Sequence, residues 1–76
     1  MTSEPRSPGS QDYEIAIRGH LGAMMLSGFP GLVAQVRGED TILTGCLEDQ
    51  AALQGVLARI AALGLELVEV RRLPPA

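Results

Sequence analysis

The chain has 76 residues, room for one small domain that buries only about 60% of its unfolded surface, so without a staple its stability is marginal and self-association is a common remedy. Hydrophobic residues make up 46% and charged residues 20%, a globular rather than disordered composition, but aromatics are only 3%, so an aliphatic core is expected. The net charge of −3 and the complete absence of Lys leave no basic footprint for a phosphate backbone, which argues against a nucleic-acid partner.

Residues 1–11 hold Pro5, Pro8, Gly9 and three serines without hydrophobic periodicity, and are expected to be a disordered tail, because burial there cannot repay the entropy of ordering. A single domain is expected over residues 12–73. It opens with strict alternation, Tyr13, Ile15 and Ile17 pointing one way and Glu14, Ala16 and Arg18 the other, which predicts a half-buried strand. Residues 19–29, bounded by glycines, predict a short helix of up to two turns with Leu21, Met24 or Met25, and Phe29 available to pack. Pro30 and Gly31 end it. Residues 32–37 then read as a strand, Gly38, Glu39 and Asp40 as a hairpin connection, and residues 41–47 as a β-branched return strand. Leu43 and Leu47 are expected inward, with Gly45 between them allowing a helix to approach closely.

Residues 49–64 carry the clearest pattern. Leu53, Val56, Leu57, Ile60 and Leu63 share one stripe of a 3.6-residue period, and five alanines supply helix propensity around them. Asp49 is placed to cap the first turn, and Gly64 with Leu65 to close the last in a Schellman motif, Leu65 folding back onto Ile60. Residues 65–73 read as a strand whose phase slips, since Leu65 and Leu67 lie on one side and Val68 and Val70 on the other. A bulge, or burial on both faces, accounts for that. Arg71 and Arg72 are expected to pair with Glu66 or Glu69, and residues 74–76 form a terminal tail.

The order β-α-β-β-α-β, with right-handed crossovers, predicts an α+β ferredoxin-like split βαβ fold: a four-stranded antiparallel sheet with two helices on one face. The other face stays open. Ala16, Val33, Gln35, Ile42, Thr44 and Cys46, with either Val68 and Val70 or Leu67, are assigned to it, more apolar matter than a solvated face requires, so a homodimer or a docked protein partner is expected there. The wet face of the long helix, with Gln50, Gln54, Ala58 and Arg59, is a second candidate for docking.

Chemistry is harder to place. The two central strands expose no aromatic side chain for base stacking, and a single Cys46 provides neither an internal disulfide nor a Cys-x-x-Cys metal pair. Arg18-Gly19-His20-Leu21-Gly22 is only a distant echo of an acylphosphatase-like phosphate loop. His20, the lone histidine, is of the residue type most suited to serve as acid, base or metal ligand near neutral pH, but it has no Cys, Ser or Asp partner at a recognisable spacing. Catalytic, cofactor-binding and metal-binding residues are therefore all expected to be none, and the protein not to be an enzyme, with a minor enzyme using His20 as the remote alternative. A second alternative is a small-molecule sensor resembling ACT domains, which bind amino acids near the first strand-to-helix turn, here Gly19, His20, Gly22 and Ala23. Neither a signal-type apolar region nor a run near the ~18 residues of a membrane span is present, so a cytoplasmic location and no membrane partner are expected.

Leu43, Gly45, Leu47, the run Asp49-Gln50-Ala51-Ala52-Leu53, Gly55, Leu57 and Leu63-Gly64-Leu65 together resemble a group of small uncharacterised bacterial proteins of actinobacterial type. The likeness covers the second half of the chain and is weaker over the first strand. Where the group often has His after that Leu, this chain has Gln54, so no histidine chemistry is carried over. The resemblance implies a small cytoplasmic α+β protein with no assigned activity. Gly55 inside a helix costs about 0.8–1.0 kcal/mol relative to Ala, and close packing of another backbone is the expected reason.

Overall fold

The computed structural model describes residues 10–74. Alternation of Tyr13, Ile15 and Ile17 builds β1 (Gln11–Arg18), followed by α1 (Ala23–Leu26), β2 (Val33–Arg37), β3 (Asp40–Leu47), α2 (Gln50–Ala62) and β4 (Leu67–Arg72). All neighbouring strands are antiparallel in the order β2-β3-β1-β4. This is the four-stranded sheet with two helices of the ferredoxin-like βαββαβ topology. Residues 1–9 and 75–76, most of the expected tails, lie outside the described residues, whereas Gln11 already pairs with Leu47 and belongs to β1 rather than to a tail.

The core lies between the sheet and α2. Tyr13, Ile15 and Ile17 of β1, Leu43 of β3, Ile60 of α2 and Phe29 form its buried centre, so the chain's one Tyr and one Phe both sit in a core expected to be aliphatic. Leu53, Val56 and Leu57 of the α2 stripe pack against that centre, while Leu63 falls at the helix cap and stays exposed. Both ends of α2 are closed by the expected devices. The Asp49 carboxylate accepts from the Ala52 N–H at 2.8 Å, and Gly64, with φ of 74°, allows Leu65 N–H to reach Ile60 C=O and Gly64 N–H to reach Ala61 C=O, each at 3.0 Å. Those two bonds are the Schellman pair.

α1 is shorter than its sequence span suggests, a single turn. Gly22 at its N-cap has no side chain to satisfy the first N–H groups, and the Ser27 hydroxyl donates to Met24 C=O at 2.6 Å. Beyond it the winding tightens to i→i−3 bonds, Gly28 to Met25 and Phe29 to Leu26, both 3.0 Å. Leu21, Leu26 and Phe29 turn to the core, and Met24 and Met25 face outward instead of packing.

The β2–β3 connection is two residues, Gly38 and Glu39, with Asp40 already paired to Arg37. Gly38 has φ of 62° and Glu39 does not have positive φ, the pattern of a type II′ turn. On β3, Leu43 is buried and Leu47 packs inward as expected. What approaches Gly45 is not a helix but the segment before β2: a Cβ there would stand 2.9 Å from Gly31 O and 2.5 Å from the end of the Leu32 side chain. Nothing lies within 4 Å of a Cβ at Gly55, so the expected close packing is absent and the structure does not explain that glycine.

β4 carries the bulge that its phase slip predicted. Glu69 opposes Ala16 and Leu67 opposes Ile17, leaving Val68 as the extra residue. Past the bulge Val70 lies opposite Ile15 and packs against the core, so it leaves the open face to which the alternation assigned it.

Candidate functional site

Directly paired residues share a sheet face, so the registers order the uncovered side in rows. One row runs Val33, Thr44, Glu14 and Arg71. The next runs Gln35, Ile42, Ala16 and Glu69, and the third Arg37, Asp40 and Arg18. Ile42 and Ala16, at the middle of a face on which no helix of the described residues packs, are nevertheless only 2% and 8% exposed.

Beside them stands a charged trio. Glu14 is held between Arg37, whose Nη1 donates to Oε2 at 3.3 Å, and Arg71, whose Nε lies 3.9 Å from the same oxygen. Arg37 and Glu14 stand in rows on either side of the row that holds Ile42 and Ala16, so their ion pair bridges that row. The Glu14 side chain is 16% exposed, those of the arginines more than half. Arg71 thus meets β1, not the Glu66 or Glu69 expected from its own strand. Arg18 takes Glu66, at 3.8 Å, on the exposed surface.

Of the residues assigned to an interface, Ala16 and Ile42 are therefore present but buried, Thr44 is half-buried, and Val70 faces the core. Val33, Gln35 and Val68 are exposed, and so is Cys46, a free thiol. The accessible apolar matter of this face lies at its margins: Val33, 63% exposed, on β2, and Val68 on β4.

The turn at residues 19–23 is closed on itself. Thr41, buried in an apolar layer, donates through Oγ1 to Gly19 C=O at 2.7 Å and accepts from Leu21 N–H at 3.2 Å. Gly19 N–H reaches Glu39 C=O at 2.8 Å, and His20 Nε2 donates to Gly38 C=O at 3.0 Å. The turn is thereby bonded to the β2–β3 hairpin by its own backbone, and no cavity opens among the described residues. Gly22 and Ala23 stay exposed at its outer end. Thr41, the residue that organises this turn, was not singled out from the sequence, where it is one of several β-branched residues in a strand. Cys46 pairs with Asp12 at one end of β1 and His20 follows Arg18 at the other, roughly 20 Å apart along a strand of ~3.3 Å per residue, so the two reactive side chains do not work together. The described residues contain no group of three or more His, Cys, Asp or Glu placed to hold a metal ion, and no helix long and apolar enough to cross a membrane.

One family model, described as a domain of unknown function (DUF8691), matches residues 12–71, the whole sheet and both helices. No curated protein and no solved structure matches the chain.

Proposed function

The chain belongs to the DUF8691 family, and from that premise, which supplies no activity, we propose that it is a non-catalytic protein-interaction domain acting as a homodimer through its uncovered sheet face. The observation that carries this reading is the face itself, on which no helix of the described residues packs, with Ile42 and Ala16 buried at its centre and its exposed apolar side chains left at the rim. A chain this small gains from burying that rim against a second copy. The contact is at the β2 margin, where Val33 and Gln35 stand side by side on the same face.

Sedimentation equilibrium on the wild-type chain tests it, with a dimer expected in the micromolar range and above. Val33→Arg, at a position too exposed to disturb the core, is expected to shift the chain to monomer with an unchanged circular dichroism spectrum. A wild-type monomer throughout that range would remove the homodimer. A Val33→Arg protein of undiminished mass would remove the β2 margin from it.

A further inference from the structure

The two edges of this sheet are not equivalent. An edge strand offers unpaired N–H and C=O groups to any other strand, and edges that remain unpaired are usually blunted by bulges, charges or proline. β4 has all three: the bulge at Val68, exposed Glu66, Glu69, Arg71 and Arg72, and Pro74 just beyond. β2 has none of them save Arg37 at its end, and shows an exposed valine on each side, Val33 on the uncovered face and Val36, 64% exposed, on the helix side.

The hairpin fixes which groups β2 presents. In a two-residue connection the flanking residues exchange both backbone bonds, and alternate pairs do so along the ladder. Arg37, Gln35 and Val33 thus direct their N–H and C=O groups to β3, and Ala34 and Val36 direct theirs outward. We propose that β2 is a pairing edge, along which two copies of this chain meet antiparallel about a two-fold axis through Gln35.

That register satisfies every outward group of the strand. Ala34 pairs with Val36 of the second copy, and Val36 with its Ala34, giving four intermolecular backbone bonds with Gln35 opposite Gln35 between them. Charge fits as well. Arg37 falls opposite Val33 rather than another arginine, so no like charges meet across the seam. The occupant is a second copy because a five-residue strand whose outward residues are 34 and 36 is self-complementary about its own middle residue. The product is an eight-stranded sheet in which the uncovered faces of the two copies run on as one surface. This rests on the homodimer reading alone: the second copy sits at the β2 edge beside the uncovered face, in reach of Val33, and not on top of that face.

The test uses Val36→Pro and Gln35→Cys. Val36 points its N–H away from β3, and proline is accepted in an edge strand at such a position, so the variant keeps the monomer fold, checked by its melting curve. It lies on the helix side, where a contact through the uncovered face does not feel it. Two N–H donors are lost per symmetric pair, and dimerisation is expected to weaken about thirtyfold in sedimentation equilibrium. With Cys46→Ser as background, Gln35→Cys is expected to form an intermolecular disulfide on mild oxidation, because directly opposed residues of a non-hydrogen-bonded pair bring their Cα atoms to about 4.5 Å. A dimer that survives Val36→Pro at full strength, or that fails to cross-link through residue 35, overturns the strand pairing while leaving the homodimer standing. A wild-type monomer overturns both.

Discussion

Gly45 and Gly55 sit in regular elements, where glycine is costly, and for opposite reasons. At Gly45 a methyl group would meet the Gly31 carbonyl oxygen, a backbone atom that cannot swing away, as well as the Leu32 side chain. Gly45→Ala is therefore expected to destabilise the chain by about 1–3 kcal/mol, the usual cost of overpacking. At Gly55 a methyl group meets open space, and Gly55→Ala is expected to stabilise by about 0.8–1.0 kcal/mol through helix propensity alone. Urea unfolding of the two variants checks both signs. Opposite signs from the same substitution separate a glycine the fold needs from one it does not. If Gly55→Ala is destabilising in the intact protein but not in a monomeric variant such as Val33→Arg, another backbone packs there in the assembly.

At the level of elements, α2 owes its limits to its two ends. Removing the Asp49 carboxylate leaves the Ala52 N–H without its partner, so Asp49→Ala is expected to cost about 1 kcal/mol, a fall in Tm of about 4–8 °C for a chain of this size, read by thermal unfolding. These ends were legible in the sequence because a cap is written in neighbouring residues: Asp49 before the stripe, Gly64 and Leu65 after it. The strands were legible for the same reason, and the slip of phase in residues 65–73 announced the bulge. Its position was not written there. Whether Val68 or Val70 joins the core depends on which residue is left over opposite Ala16, a matter of pairing with β1 rather than of the strand's own pattern. α1 is shorter than residues 19–29 suggest because the glycines in that interval mark boundaries without saying how much of it winds as helix. The charged trio was invisible for a similar reason, since Glu14, Arg37 and Arg71 come from three strands and meet only through registers that no local spacing encodes.

For the molecule as a whole, that trio is placed to help an uncovered sheet face stay in water, because its Arg37–Glu14 pair bridges the row that holds Ile42 and Ala16. Ile42 and Ala16 are already buried within the single chain, so Ile42→Asp would strike the folded monomer rather than a dimer contact, and variants at the rim are the informative ones. Two contributions from the trio are separable: attraction between Glu14 and the guanidiniums, and the bulk of the arginine stems beside the apolar row. A double-mutant cycle with Glu14→Ala and Arg37→Ala isolates the first. Because the guanidinium of Arg37 is largely solvated, its attraction to Glu14 is discounted toward that of a surface pair, and a coupling of about 0.5–1 kcal/mol is expected in urea unfolding, shrinking as salt is raised to 1 M, where the screening length is about 3 Å. Coupling near zero at low salt, with each single variant still destabilising, would mean that the stems alone protect the face. In that case Arg37→Met, which keeps the stem and drops the charge, would hold the stability that Arg37→Ala loses.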